Sequence, residues 1–463
     1  MKGRLREWVR TPDARWLIAV VALAFVVRLA VVGYVHPDPR DGRYDDSVWY
    51  DTAARNLADG HGYVFDPTVW RAPDGSRIYP DTDELSPTAL RPPGYPATLA
   101  AVYAATGDSL WAARMLNVVL GSATAGLVYL IARRLFDRPA AIGAGAVIAL
   151  MPSHALFTSV VLAETYYGFL LTGLLAAFIY LLLDRERPHP LLALGIGALT
   201  AFTGYVRGEF MAYAAVLLLI LLVSKRKRAL LPMAAFVAGM ALVVTPWVVR
   251  NQVQMGEWIV GTTGVGRVLY QGHNPDTDGG ASLSAIWTLE APFLGLDRKE
   301  SELKTNSEGL RLAREWAFGH PLDELRLFPR RLYLLFGSDE AGVTSVQSNK
   351  PWFGTEGADR LVRLSTAVFY GLIAVALAGA PRWFRWRDAR FWTLFSLVPF
   401  YILTFSVLFI GEPRYHYALY FPIAVFAAPG IVAVWRVTVA SFRDVSGGRS
   451  FGQVLRTYGT PRP

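Results

Sequence analysis

Apolar runs long enough to cross a bilayer recur along this chain, and nothing else in the sequence limits its fold as much. A hydrocarbon core of about 30 Å takes about 20 apolar helical residues. Backbone polar groups at that depth must be satisfied within the segment, so runs of this kind cross as helices. Ten runs read as spans: Trp16–Val35, Leu110–Leu135, Ala140–Ala163, Thr165–Leu183, Pro190–Val206, Gly208–Val223, Ala229–Val249, Leu361–Ala380, Phe391–Ile410 and Tyr415–Val434. Mean hydropathy is +0.30. A soluble protein of 463 residues would show far fewer unbroken runs. The class is an all-α polytopic membrane protein.

Basic residues set the orientation, because cytoplasmic loops collect Lys and Arg. Lys2, Arg4, Arg6, Arg10 and Arg15 place the N-terminus in the cytoplasm. The run after them is too long for a signal-peptide core and lacks a small-residue cleavage site, so it reads as an uncleaved anchor. Ten spans then put Arg133-Arg134 with Arg138, Arg185 with Arg187, Lys225 to Arg228, the arginines from Arg382 to Arg390 and the basic C-terminal tail on that same side. The expected location is a plasma (inner) membrane, with both termini cytoplasmic. Tyr95–Thr106 is apolar but short, and counting it as a span would reverse every later cluster, so it reads as a half-inserted or interfacial helix at the outer surface.

The chain divides into residues 1–249, a transmembrane module with an outer loop at 36–93; residues 250–360, an outer domain; and residues 361–463, the last spans and a cytoplasmic tail. The Gly-rich opening of the second segment, Gly261 to Gly280, suggests short strands and turns. From Glu300 to Phe336 apolar residues recur at helical spacing beside Arg326, Arg330 and Arg331. That pattern suits a helix on the membrane surface as well as one packed on the outer domain.

Composition excludes several chemistries. There is no cysteine, hence no disulfide, thiol nucleophile or thiolate-bound metal. The net charge of +9 is explained by cytoplasmic loops, so no nucleic-acid partner is expected. No P-loop or dinucleotide glycine pattern is present, nor HExxH, and no nucleotide cofactor is expected.

Chemistry-bearing residues gather at outer span ends. Asp45 and Asp46 follow the first span and open a helical pattern, where carboxylates also serve as caps. Two adjacent acids repel, which raises one toward the range of a general base. Glu164 lies at the outer end of the third span, facing the same compartment. Arg91, Arg207, Arg250 and Arg414 also fall at outer ends. Guanidinium forks match phosphate oxygens, although any one of them alone could be snorkelling to headgroups. Tyr50, His273, Glu412 and His416 are further candidates, ranked below the acids. Asp46 and Glu164 offer hard oxygen ligands for a divalent cation, Mg²⁺ or Mn²⁺.

The order of motifs resembles the GT-C class of membrane glycosyltransferases, the group with protein O-mannosyltransferases and the lipid A aminoarabinose transferase. The resemblance is carried by Asp45-Asp46 with Tyr50, Ala54, Leu57 and Gly60-His61-Gly62. It continues through Arg91-Pro92-Pro93-Gly94-Tyr95-Pro96, Ala113-Arg114 with Asn117 and Gly121, Ala132 to Phe136, and Pro152 leading to Glu164. Pro246-Trp247, Arg250-Asn251, His320-Pro321, Asp339-Glu340 and Glu412-Pro413-Arg414-Tyr415 complete it. It implies a GT-C fold with about ten transmembrane helices, outer juxtamembrane helices and a mixed extracytoplasmic domain. It implies a polyprenyl-phosphate sugar donor, a lipid, glycan or protein acceptor in the cell envelope, and an extracytoplasmic site. By the same resemblance, Asp45 or Asp46 is the base, Glu164 the second acid and Arg91 a carrier-phosphate contact. No extra lumenal domain of the eukaryotic mannosyltransferase kind is found in these residues, and the aminoarabinose transferases have a longer C-terminal region with more spans, so the acceptor is not expected to carry over. A transporter or flippase of a lipid-linked or anionic substrate is the alternative; it would favour charges in mid-span, where Arg28 is the exception. A non-catalytic subunit would leave the acids and arginines unexplained.

Overall fold

The computed structural model describes residues 11–40, 46–70, 82–347 and 350–446. Asp45 lies outside them. Among the described residues, seven helical stretches are long and apolar enough to cross a membrane, with Arg138–Leu150 and Pro190–Gly204 as shorter apolar helices. One of the seven, Gly208–Met255, is not a single rod. Its helix Tyr213–Lys225 ends at Arg226, whose φ of 53° is outside the helical region, and Leu230–Met255 begins a new one.

Packing shows how these helices run. A Cβ on Gly197 would lie 1.9 Å from the Phe236 carbonyl oxygen, and one on Gly239 would lie 1.9 Å from that of Leu194. Further along, the Tyr205 ring meets Trp247 and its hydroxyl donates to the Val244 carbonyl. Pro190–Gly204 and Leu230–Met255 therefore lie side by side and parallel, their backbones in contact through small residues. Tyr213–Lys225, between them in chain order, is the return pass. With that stretch as two passes, the described helices fall at the positions of the ten expected spans.

The third expected span departs from a continuous helix. It stops at Leu150, Met151 is extended, and a short helix Pro152–Phe157 follows. Pro152 has no N–H to donate and disfavours helical geometry at Met151. The carbonyls freed at the break are met by Arg28, which donates to Ile148 (2.9 Å) and Ala149 (3.3 Å). Arg28 is buried against Gly121, where a Cβ would come within 2.6 Å of its Nε. A cation at the negative end of a helix is favoured, which accounts for the mid-span charge.

Outside the spans, Asp46–Ala58 packs on Gly94–Thr106, and a two-residue antiparallel pairing joins Val64–Phe65 to Ser86–Pro87. The segment expected to open on strands instead contains the helix Val265–Gly272. Two of its glycines are close-approach residues: a Cβ on Gly264 would lie 2.5 Å from the Leu90 carbonyl oxygen, and one on Gly266 would lie 2.2 Å from that of Asn306, on the Arg298–Gly319 helix. The long helical pattern after it is two helices, Arg298–Gly319 and Pro321–Phe336, parted at His320-Pro321. Phe318, Leu322, Leu325 and Tyr333 form an exposed apolar row there.

Candidate active site

Asp46 is the first residue of its helix, yet its carboxylate serves more than the helix end. Arg91 Nη2 lies 2.5 Å from one oxygen and Arg414 Nη1 donates to the other at 2.7 Å. Burial disfavours its charge, but the fields of Arg91 and Arg414, with Arg207 behind them, outweigh that cost and hold its carboxyl well below the usual carboxylate range. Arg414 also faces Glu412 at 3.3 Å.

A second cluster stands beside the first. Glu164 opens the helix Ala163–Ala177 and is only 3% exposed. Arg207 donates to Glu164 at 2.9 Å and to Glu209 at 3.0 Å. The Tyr415 ring sits between the clusters, 5.2 Å from the Arg207 guanidinium and 5.7 Å from that of Arg414. Exposure falls from Arg91 (33%) through Asp46 (18%) to Glu164 (3%), so the site opens at Arg91 and closes at Glu164. Tyr50, one turn after Asp46, packs edge-on against Tyr95. Burial pushes its phenol up to about 12, with Arg91 opposing and Asp46 and Glu164 adding to the shift, so it stays a neutral donor.

The motif residues nearby act as supports. Arg114 donates to the Ser159 and Pro37 carbonyls, and Asn117 to that of Val160. They hold the irregular stretch that presents Glu164. Gly94 donates to the Tyr205 carbonyl at 2.7 Å, and a Cβ there would lie 2.7 Å from that oxygen. Asp51, one turn beyond Asp46, is 1% exposed and accepts from Arg40, Arg55 and the Tyr103 hydroxyl. Sequence reasoning missed Asp51 and Glu209. The spacing of Asp51 to Arg55 is the i,i+4 signal that could have found the first.

Three candidates are not brought to this centre. Arg250 donates to the Thr88 and Tyr63 carbonyls and to the Asn251 side chain, so it ties neighbouring segments together. His273 bonds Glu324 at 2.5 Å beside buried Arg331. His416 is buried between the Leu335 carbonyl and Asp339. As arranged, Asp46 and Glu164 do not fit a divalent-cation site: guanidiniums occupy both oxygens of Asp46 and one of Glu164. Among the described residues no three His, Asp or Glu group as metal ligands.

Residues 90–249 match a family model described as dolichyl-phosphate-mannose-protein mannosyltransferase, a stretch that includes Arg91, Glu164 and Arg207. No curated protein matches the chain. The Archaeoglobus fulgidus oligosaccharyltransferase tethered to an acceptor peptide superposes with a TM-score of 0.54 at 16% identity, covering 96% of this chain and 52% of that one. Archaeal AglB from the same organism, in complex with an inhibitory peptide and a dolichol-phosphate, gives 0.50 at 17%, covering 94% and 52%. ArnT from Cupriavidus metallidurans bound to undecaprenyl phosphate gives 0.43 at 13%, covering 92% and 80%. The chain spans about half the length of the oligosaccharyltransferase chains it matches, and it shares their GT-C fold as a multi-pass membrane protein.

Proposed function

We propose that this chain is a GT-C glycosyltransferase that moves a sugar from a polyprenyl-phosphate donor to a hydroxyl acceptor on the extracytoplasmic face. The observation that carries the reading is the clasp of Asp46 between Arg91 and Arg414 at a half-open site. Two guanidiniums converging at the end of apolar helices match the chemistry of a lipid-linked phosphate. The match to a dolichyl-phosphate-mannose-protein mannosyltransferase model over the stretch containing Arg91, and the dolichol-phosphate held by AglB, support the donor class.

The reaction is a single displacement. The acceptor oxygen attacks the anomeric carbon, the bond from that carbon to the phosphate oxygen breaks, and the acceptor proton passes to a carboxylate of the Asp45-Asp46 pair. The carrier leaves as a monophosphate whose charge Arg91 and Arg414 receive, and such preorganised charge stabilisation is commonly the largest catalytic contribution. The resting pairing makes Asp46 a weak base. Phosphate oxygens entering the site draw off its two guanidiniums, and Asp46 regains basicity as substrate binds. Glu164 and Glu209 keep Arg207 fixed at the inner wall.

The test is transfer of labelled sugar from polyprenyl-phosphate donors by purified protein in detergent. Transfer supports the reading. Uptake or flipping of the lipid-linked substrate in proteoliposomes, with no transfer, would replace it with the transporter reading.

A further inference from the structure

We infer that Glu302 is a positioning residue that sets Arg91 for the carrier phosphate; this rests on the reading that Arg91 contacts that phosphate. Glu302 lies on the Arg298–Gly319 helix, more than two hundred residues from Arg91 in sequence, and is 1% exposed. A buried carboxylate is costly unless hydrogen bonds satisfy it. Its Oε2 accepts from the Thr88 hydroxyl at 2.6 Å, and its Oε1 from the Ala89 N–H at 2.9 Å and the Thr263 hydroxyl at 2.5 Å. Both oxygens are therefore spent on the stretch just before Arg91 and on the loop that packs against it.

The rest of that stretch is held as closely. Thr263 N–H donates to the Ala89 carbonyl at 2.9 Å. Arg250 donates to the Thr88 carbonyl at 2.8 Å, and the Tyr63 hydroxyl to the Arg91 carbonyl at 3.0 Å. Leu90 N–H donates to the Thr88 hydroxyl, and a Cβ on Gly264 would lie 2.5 Å from the Leu90 carbonyl oxygen. Pro92 and Pro93 then stiffen the exit. The backbone of Arg91 cannot shift without breaking this frame, and among the described residues Glu302 is the carboxylate that joins the outer helices to the loop carrying Arg91. A guanidinium aimed at a phosphate loses affinity when its anchor moves by about 1 Å.

The experiment measures binding of a polyprenyl monophosphate to purified full-length protein in detergent, with the melting temperature of each variant recorded. The set is wild type, Arg91→Ala, Glu302→Ala, the double variant and Glu302→Gln. Glu302→Ala is expected to weaken binding about tenfold and to add nothing to the loss in Arg91→Ala. Glu302→Gln, which keeps an acceptor for Ala89 and Thr263, is expected to recover most of the affinity. If Glu302→Ala does not fold, Thr263→Val, which removes one bond to Oε1, carries the same cycle. Unchanged binding in Glu302→Ala, or losses that multiply with Arg91→Ala, would overturn the inference while leaving Arg91 as the phosphate contact. Unchanged binding in Arg91→Ala alone would overturn the phosphate reading itself, and this inference with it.

Discussion

Arg414 and Asp46 stand 368 residues apart in the chain and 2.7 Å apart in space. This bond joins the lead-in to the last span with the first helix after the first span. Arg91 takes the other oxygen of the same carboxylate. The acid and both arginines are thus in mutual check, and a phosphate entering the site must compete with Asp46 for its cations.

That competition predicts opposite effects on binding and on turnover. Asp46→Asn keeps the shape and removes the rival charge. It is expected to bind a polyprenyl monophosphate about tenfold more tightly while transfer falls. Titration of the lipid phosphate against wild type and variant checks this, and weaker binding in Asp46→Asn would contradict the competition.

The arginines should separate by what they hold. Arg91→Ala and Arg414→Ala are each expected to lower kcat/KM by about 100-fold with a folded protein. The corresponding lysine variants should fall between, since charge is kept and the fork is lost. Arg207→Ala leaves buried Glu164, and Glu209 beside it, without their cation and is expected to destabilise the fold by about 3 kcal/mol. Donor kinetics beside thermal melts distinguish the two classes.

Asp46 also predicts a pH dependence of stability. Its folded carboxyl lies below the unfolded value, because two guanidiniums outweigh burial. The stabilisation from its charge is therefore complete above the ordinary carboxylate range, about pH 4, and is lost as the pH falls further. The difference in melting temperature between wild type and Asp46→Asn should stay flat from about pH 8 to pH 5 and shrink below about pH 4. A difference that grows toward acid pH would contradict the pairing.

Gly94→Ala tests the seat of the Gly94–Thr106 helix. The added Cβ would meet the Tyr205 carbonyl oxygen at 2.7 Å, a main-chain atom that cannot rotate away. A loss of about 1–3 kcal/mol is expected, measured by thermal unfolding in detergent. Stability equal to wild type would show that the helix can lift off Tyr205 without cost.

Span positions were legible because lipid-facing helices need long apolar runs, and charge at their ends marks the turns. Pro152 was visible too, but the break it makes depends on Arg28 reaching the Ile148 and Ala149 carbonyls from another helix. Glycines misled in the stretch after Gly261, because a glycine that admits a neighbouring backbone looks in sequence like one that makes a turn. At the site, Asp46, Arg91 and Arg414 were readable as end-of-span charges, and Glu164 as an acid at a span boundary. Arg250 carried the same signal and holds main chain instead. Local sequence does not say whether a guanidinium meets carbonyls or an open site. Glu302 gave no signal, since its partners are two hydroxyls and one main-chain N–H distant in the chain.

The measurement that bears most directly on the central claim is sugar transfer from a polyprenyl-phosphate donor by wild type, Asp45→Asn, Asp46→Asn and the double variant, each shown to be folded. The account predicts that the single variants lose most of the transfer and that the double variant has none above the uncatalysed rate. Full transfer by the double variant would contradict an aspartate base at this site.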